Sequence, residues 1–375
     1  MNQRESDLCK GIAILIMFFH HLFYDMSFWN KYEVLSAPFS HNQLAAFAQL
    51  GKVCVAFFVF LSGYGTAKQY KERKIIESDK IKEYTFSRYF RMMFHYWYIF
   101  VLSIVFSLVV MKIGLGQDLW KLYGGTISFV AFLRNILVDF FGIANIRNTP
   151  TLCSTWWYMS YGILLVFLIP VLISFVRKYG GMIAIALGFL LIPFLGISQG
   201  ETFGCYILSV LFGIVCAEYE LFEWFREYLS DNKMRNTISC IVILNIIFDL
   251  FYVRYNIGLV YIIDALLAMI ICVFVSVWLS RRTILSKGIM VFGRYEYTIF
   301  LTHTFIRKYY FSDFIYCWRY PVIMYCMLAG SSLLLAVVIE VLKKLLHINV
   351  LMKLLQNKLL YFAGRRKIYS MKTEN

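Results

Sequence analysis

The sequence contains little charge for its length. Only 16% of its 375 residues are charged and 60% are hydrophobic, whereas soluble domains average about 25% charged and about 45–50% apolar residues. A soluble protein of this composition cannot cover its apolar surface, but a membrane protein needs no such cover because lipid is its solvent. The composition therefore excludes a sizeable soluble domain and predicts one membrane domain.

Several short motifs are also absent. The nine cysteines include no CxxC pair, so they predict neither a disulfide framework nor a zinc site, and no metal is expected. The chain lacks the GxSxG, HExxH, P-loop and dinucleotide-binding fingerprints. It also lacks an internal repeat, which argues against a transporter built from duplicated halves. The first apolar run has no small-residue cleavage site, which predicts a retained span.

The net charge of +15 does not indicate a nucleic-acid partner. The basic residues cluster at the ends of apolar runs, where they set topology and contact anionic lipid headgroups. Membrane lipids are therefore expected partners, and nucleic acid is not.

A helix needs about 20 mostly apolar residues to cross a bilayer. Ten apolar runs in the sequence reach or approach this length. The expected fold is all-α, a polytopic membrane protein with a bundle of about ten transmembrane helices. The fifth and sixth runs are short, so an interfacial hairpin is an alternative for them. The predicted spans are Leu8–Phe28, Leu44–Ala67, Phe94–Ile113, Thr155–Val176, Gly181–Ile197, Thr202–Ala217, Thr237–Tyr252, Gly258–Leu279, Ile289–Ile306 and Pro321–Leu342.

Ten spans place the basic clusters on one side of the membrane. The opposite loops carry few charges apart from Arg307, Lys308 and Arg319. The positive-inside rule then predicts a multi-pass protein of the cell membrane with both termini in the cytoplasm. Residues 1–342 form the expected transmembrane domain, and residues 343–375 a basic amphipathic cytoplasmic tail.

The first span carries ionisable residues on one face. Lys10 and His21 are eleven positions apart and so only about 20° apart around a helix. A central Lys or Asp costs roughly 2.5–3.5 kcal/mol on insertion scales, so such residues indicate a task or a partner. Asp25 falls on the same stripe and Asp7 at its edge, whereas His20 faces about 80° to the side.

His21 is the first candidate for catalysis. An imidazole titrates near neutrality, so it can take a proton from a hydroxyl and later return it. Asp25, one helical turn away, is the candidate to orient it, and His20 competes for the role. The alternatives are a histidine bonded to a neighbouring helix and a member of a proton relay.

Three further segments contain candidate cavity residues. Arg88 and Arg91 share a helix face and suit phosphate oxygens, or they anchor the cytoplasmic end of a span. Ser62, beside a glycine, permits close approach of a helix or of a ligand. Glu296 and His303 share a face by their spacing of seven, so His303 lines the cavity of His21 or bonds a neighbouring helix.

Together these segments resemble the acyltransferase-3 family, multi-pass membrane proteins that O-acylate sugars, most often with acetyl groups. DLCKGIAILIMFFHH is similar to the family's D-x-x-R-G-I-A-x-x-x-V-x-x-x-H pattern, which places Lys10 on its arginine and His21 on its essential histidine. FFVFLSGY resembles its FFxLSGF segment, and RYFRMMFHYW its RxxRxxPxYW segment, with Arg88 and Arg91 matched. GRYEYTIFLTHTFI resembles a late motif and places His303 on its final histidine.

The mid-chain motif and three departures complete the comparison. Trp156, with the adjacent tryptophan, resembles the start of the family's W-x-L motif, but Tyr161 stands near the place of an acidic residue that many members carry. Lysine at position 10 keeps the cation of the usual arginine and loses its planar fork. No fused extracellular hydrolase-like domain is present. The acceptor and the acyl donor therefore stay open.

The resemblance implies an O-acyltransferase, most simply an O-acetyltransferase. Acetyl-CoA or another acyl-CoA would be a donor substrate, with no permanently bound cofactor, and a surface glycan or lipid-linked saccharide the acceptor. Lys10, Arg88 and Arg91 would hold the donor phosphates, and His21 would act as general base or accept the acyl group. The rivals are a polysaccharide or proton-coupled transporter and an inactive sensor or assembly subunit. The oligomeric state is not predicted.

Overall fold

The structure is a computed structural model that describes residues 1–112, 119–123, 125, 128–191, 203–257, 260–280 and 283–362. These residues form helices and their connections, and no strand occurs among them. The α-helices are α1 Gln3–Phe23, α2 Met26–Trp29, α3 His41–Leu50, α4 Cys54–Glu72, α5 Ser78–Lys112, α6 Leu119–Leu122, α7 Phe129–Phe140, α8 Trp157–Tyr179, α9 Gly181–Leu191, α10 Ile207–Glu218, α11 Leu221–Ser230, α12 Lys233–Ile257, α13 Val260–Phe274, α14 Ile284–Arg294, α15 Glu296–Thr304, α16 Ser312–Tyr316, α17 Pro321–Leu345 and α18 Ile348–Phe362.

The all-α membrane fold is confirmed, and the predicted count of ten spans is approximate. Among the described residues, seven helices are long and apolar enough to cross a membrane, or eight if the bent pair Gly204–Glu218 and Leu221–Ser230 is one span. The predicted fifth span corresponds to the shorter α9, and its end at Ile197 lies outside the described residues. The predicted ninth span is divided at Tyr295, where α14 ends and α15 begins.

The first span begins and ends earlier than predicted. Asn2 and Glu5 form a capping box at the start of α1, which satisfies backbone N–H groups that lack helical partners. The helix ends at Phe23, not at Phe28. Asp25 lies beyond this end and caps α2. The prediction that Asp25 continues the helix of His21 for one more turn is therefore wrong.

The chain divides into two compact units. The first contains Met1–Lys74 and Val171–Leu333, and the second contains Ile75–Pro170 and Leu334–Asn375. In the first unit α1 packs against α14, α4 packs against α10, and α13 also contacts α4 and α10. This unit contains both histidines of α1.

Glycines set the close approach of two helix pairs in the first unit. A Cβ on Gly63 would lie 2.5 Å from the Val210 carbonyl oxygen, and a Cβ on Gly213 would lie 2.2 Å from that of Phe60. A Cβ on Gly11 would likewise lie 2.1 Å from the Ile289 carbonyl oxygen. Small residues let membrane helices pack backbone against backbone. The α1–α14 and α4–α10 pairs therefore require glycine at these positions, because a side chain there would collide with the backbone of the facing helix.

The second unit is built on α5, α7, the first part of α8, the end of α17 and α18. An aromatic cluster forms its core: the Trp156 ring lies 5.1 Å from Tyr96 and 5.8 Å from Phe100, and Trp97 stacks on Phe140 at 5.2 Å. These are favourable separations for aromatic pairs.

The predicted boundary between the transmembrane domain and the tail falls inside a helix. Helix α17 continues to Leu345, and α18 covers Ile348–Phe362. Residues 363–375 of the predicted tail lie outside the described residues. The division at residue 342 stays a prediction.

Candidate functional site

Two histidines from distant parts of the chain face each other in the first unit. The rings of His21 on α1 and His303 on α15 lie 5.1 Å apart between centroids, at an interplanar angle of 32°. His303 is fully buried, whereas His21 is partly exposed. The ring of His20 lies 5.0 Å from that of His21. The structure thus brings together all three histidines that the sequence singled out.

Hydrogen bonds separate the roles that these three rings can take. His20 Nδ1 lies 2.9 Å from the Ala48 carbonyl oxygen, so this nitrogen donates and the ring is fixed to the backbone. His303 Nδ1 lies 3.0–3.1 Å from two carbonyl oxygens of its own helix, at Ile299 and Phe300, so it also donates. No hydrogen bond to the His21 ring occurs among the described residues. Both of its nitrogens are therefore available to a substrate, whereas His20 and His303 each have Nδ1 bonded to a backbone carbonyl.

The apolar side of α1 lies opposite His21. A groove of about 440 Å³ is lined by side chains of α1 and the start of α17: Ile12, Leu15, Ile16, Phe19, Phe23, Pro321, Val322 and Tyr325. Ile12 and His21 are nine positions apart, which is about 180° around a helix. His21 therefore faces the protein interior, and the opposite face of α1 carries apolar side chains.

Lys10 forms an ion pair at the other end of α1. Its Nζ lies 2.8 Å from Glu296 Oε1, with 29% and 22% of the two side chains exposed. Asp7 is buried, accepts a hydrogen bond from Gln3 and lies 3.9 Å from Arg294. Helix α15 is thus joined to α1 twice, by Lys10–Glu296 and by His21–His303. Lys10 has a protein carboxylate beside it, which the sequence did not reveal.

Asp25 and Ser62 serve local structure. Asp25 Oδ1 accepts hydrogen bonds from the Ser27 backbone N–H at 3.1 Å and from its hydroxyl at 2.5 Å. The Ser62 carbonyl accepts from Thr66, and Gly63 beside it packs on α10. Close helix approach, one of the two alternatives for this segment, thus occurs at Gly63, and contact of Ser62 with a ligand stays a prediction. The proposed role of Asp25 in orienting His21 stays a prediction.

The remaining predicted residues belong to the second unit. Arg88 is half-buried and Arg91 is exposed on α5. Trp156 is part of the aromatic core, and Tyr161 is buried with its ring 5.9 Å from that of Tyr158. Tyr161, which stands near the place of a family acidic residue, is thus a core residue.

Sequence reasoning missed a charged cluster one to two turns beyond Arg88 and Arg91. His95 Nδ1 lies 2.8 Å from Lys343 Nζ, and the Glu340 carboxylate lies 3.6 Å from both side chains. Arg88 and His95 are seven positions apart and share a face of α5. The signal was present in the family-like segment RYFRMMFHYW, but only folding brings α17 to it.

Sequence reasoning also missed that the Asp139 carboxylate in α7 is the centre of a hydrogen-bond network. It is 1% exposed and accepts hydrogen bonds from Thr151, from the Tyr123 and Tyr96 hydroxyls, and from the Leu152 N–H. Burial raises the pKa of Asp139, and the four donors oppose that shift. By its sequence this segment is amphipathic and suits the outer surface of the membrane, and that pattern does not indicate the hydrogen bonds of Asp139.

No group of three His, Cys, Asp or Glu side chains suited to a metal ion occurs in the described part of the chain.

Comparison with known protein families gives a match over most of the chain. A family model described as an acyltransferase domain, acyltransferase-3, matches residues 3–341. No curated protein matches the chain, and no solved structure does. The match includes the three histidines, the Lys10–Glu296 pair and the two arginines of α5.

Proposed function

Because the chain belongs to the acyltransferase-3 family, whose domain acts as an acyltransferase, we propose that it is a membrane O-acyltransferase that modifies a surface glycan. The donor is an acyl-CoA, acetyl-CoA in the first place, and the acceptor is a hydroxyl of a cell-surface glycan or lipid-linked saccharide. The family and the membrane-spanning helices support a membrane acyltransferase, and the acetyl group and the glycan are our proposal.

The observation that carries the proposal is the state of His21. Its ring is partly exposed, faces a fully buried histidine and makes no hydrogen bond within the described chain. A general base needs an imidazole nitrogen that can reach the substrate hydroxyl. His20 is less suited because its Nδ1 is bonded to Ala48.

The chemistry balances with His21 alone. His21 takes the proton of the acceptor hydroxyl, whose oxygen bonds to the thioester carbonyl carbon. The carbon–sulfur bond breaks, and the thiolate takes the proton from His21 to leave as free CoA. In the alternative route the His21 nitrogen bonds to the acyl carbon, the carbon–sulfur bond breaks and the thiolate leaves with the proton of the ring. The hydroxyl oxygen then bonds to the acyl carbon, the carbon–nitrogen bond breaks and the ring takes the hydroxyl proton. Trapping a labelled acyl-enzyme distinguishes the two routes.

Donor binding is assigned to Arg88 and Arg91 on α5. Guanidinium groups bind phosphate oxygens in a planar, bidentate way, and three phosphates distinguish CoA from other thiols. Lys10 is a weaker candidate than the sequence indicated, because Glu296 lies 2.8 Å from its ammonium group.

We assign the termini to the cytoplasm from the positive-inside rule. Helix α1 starts at Gln3 and places His21 about 27 Å further along its axis. His21 then acts near the outer face, where a surface glycan is available.

The test is acyl transfer by the purified full chain in lipid nanodiscs. Radiolabelled acetyl-CoA and the surface glycan of the source cell give labelled glycan in the wild type, and O-acetyl protons in its NMR spectrum. His21→Ala is expected to remove transfer, with His20→Ala as the comparison. Normal transfer by folded His21→Ala and His20→Ala variants would show that the assignment is wrong.

A proton-coupled transporter is the second candidate. The observation that favours it is the row of three histidine rings, spaced 5.0 and 5.1 Å apart, which suits a proton relay. A transporter moves unmodified saccharide into vesicles without acyl-CoA and with proton flux. An enzyme consumes acyl-CoA in flat nanodiscs, where no transport is measurable.

A further inference from the structure

The middle of α12 carries polar side chains on a face that the described part of the chain leaves exposed. This helix has 25 residues, Lys233–Ile257, and Asn245 is the central one. Asp249 follows one turn later, and the side chains of both residues are exposed. At about 100° per residue the two positions differ by about 40° around the helix, so they share one face.

This face lies opposite the side on which α12 packs against α13, α11 and α3. On the packed side Asn236 accepts a hydrogen bond from the Trp278 indole N–H. Arg254, on the same side, binds the Asp264 carboxylate. Asn236 and Arg254 are each nine positions from Asn245, which is about 180° around a helix. No residue in an apolar 18-residue stretch of α12 is buried, whereas about a third or more is buried in each of the other six long spans of the described chain.

The described chain satisfies these two side chains only in part. Asn245 Nδ2 donates one N–H to the Ile241 carbonyl oxygen at 3.0 Å, which leaves its second N–H and its Oδ1. Neither a hydrogen bond nor an ion pair of the Asp249 carboxylate occurs among the described residues. With α12 centred in a hydrocarbon core of about 30 Å, Asp249 lies about 6 Å from the middle, too deep for its short side chain to reach water. Ionisable side chains inside membranes almost always face a bundle interior or a cavity, so this face indicates a protein partner.

The exposed face also has the spacing of a seam between two helices. Exposed side chains recur at alternating steps of three and four residues along α12: Ile238, Ile241, Asn245, Phe248, Tyr252 and Tyr255. This is the heptad repeat that two helices bury against each other. A single Asn in such a seam fixes the register of the pair, because an amide can both donate to and accept from the same amide of the other helix.

We propose that the partner is a second copy of this chain, and that the two copies form a dimer through α12. Copies inserted in one membrane have the same orientation, so a two-fold axis along the membrane normal brings identical residues together at equal depth. The two Asn245 amides then face each other, each with one N–H and one oxygen to share. Asp249 flanks them, and Asn245 and Tyr252, one turn before and after it, supply donors for its carboxylate.

The oligomeric state of the full chain in liposomes tests this dimer. Single-molecule photobleaching counts the copies in each protein particle without any substrate, so its result is independent of the proposed function. The wild type is expected to be dimeric. Asn245→Leu is expected to weaken dimerisation about tenfold, the factor that a pair of interhelical hydrogen bonds supplies. Leucine is favourable in lipid, so this variant is expected to stay inserted and folded.

The matched control for this variant is Thr237→Leu. Thr237 is an exposed polar residue of the same helix, and its hydroxyl donates to the carbonyl oxygen four residues earlier, as the Asn245 amide does. It lies outside the seam, about 80° from Asn245 around the helix. Thr237→Leu is therefore expected to dimerise like the wild type.

Cysteine cross-linking in membrane vesicles assigns the contact to one face of α12. With copper phenanthroline as the oxidant, Ile238→Cys in the seam is expected to give a disulfide-linked dimer above the background of the wild type. Ile246 is also exposed but lies about 100° from Asn245 around the helix. Ile246→Cys is therefore expected to give no more than that background.

Three results would overturn the inference. The first is a wild type that is monomeric at every protein-to-lipid ratio. The second is an Asn245→Leu dimer as stable as the wild-type dimer. The third is an Ile238→Cys variant that is cross-linked only to a different membrane protein, which would assign this face of α12 to another partner.

Discussion

The imidazole rings of His21 and His303 lie 5.1 Å apart, and the buried ring of His303 is fixed by its own helix. His303 Nδ1 donates to backbone carbonyls, and the Thr304 hydroxyl lies 3.2 Å from its Nε2. A histidine of fixed orientation thus lies beside the ring proposed as the base. We therefore expect His303 to position His21, a role that sequence spacing alone did not indicate.

His303→Phe tests that role. Phenylalanine retains a buried ring against His21 and lacks both nitrogens, so kcat is expected to fall about 10- to 100-fold with an unchanged KM for acetyl-CoA. Steady-state kinetics measures this split, and His347→Asn at an exposed position is the control. An unchanged kcat in His303→Phe would show that His303 contributes only packing.

Substitution by asparagine distinguishes the roles of the two neighbouring histidines of α1. The asparagine amide can replace the Nδ1–H of His20 toward the Ala48 carbonyl, so His20→Asn is expected to retain transfer within about threefold. His21→Asn removes the base and is expected to lower kcat by about 100-fold or more. Parallel transfer assays with both variants give the comparison. The reverse order of effects would move the base to His20.

Variants of Lys10 and Glu296 test whether the lysine ammonium group serves the ion pair or binds the acyl-CoA donor. If the pair is structural, Lys10→Gln and Glu296→Gln each lower stability and the double variant shows a coupling of about 1 kcal/mol. The KM for acetyl-CoA then stays constant in all three variants. Unfolding temperature and kinetics are measured together. A KM that rises in Lys10→Gln and stays high in the double variant would instead identify a donor contact.

The contact between α4 and α10 has a matched glycine control. Gly63→Ala places a methyl group 2.5 Å from the Val210 carbonyl oxygen, whereas a Cβ on Gly65, two positions further, meets nothing within 4 Å. We expect Gly63→Ala to destabilise the protein by about 1–3 kcal/mol and Gly65→Ala to be neutral or stabilising by up to about 1 kcal/mol. Thermal unfolding in detergent measures both. Equal unfolding temperatures would mean that the helices move apart at no cost.

The buried Asp139 predicts a pH dependence of stability. Burial raises its pKa above the ordinary value near 4, so the folded state holds a proton that the unfolded state loses. The stability that this group contributes is complete below that value and falls as pH rises through the folded pKa. The difference in unfolding temperature between the wild type and Asp139→Asn is therefore expected to decrease from about pH 4 upward. A difference that grows over this range would show that the four hydrogen bonds outweigh burial.

Part of the candidate site was readable from the chain. Lys10, His20 and His21 were recognisable because an ionisable residue is conspicuous in an apolar run, and His303 because its surroundings resemble a family motif. Asp25 was misplaced because helical periodicity does not show where a helix ends. The partner of Lys10 and the cluster of His95, Lys343 and Glu340 were not predictable, since each joins side chains from distant helices.

The sequence by itself determined the class of this protein: low charge and long apolar runs require a helical membrane fold, and ordered motifs identify the family. These signals are local, because hydropathy and periodicity act over one or two helical turns. Only the tertiary structure decided which faces meet, and hence that the His21 ring lies beside that of His303 and that Lys10 pairs with Glu296. Packing between helices that are far apart in the sequence fixes those contacts, so no short stretch of sequence predicts them.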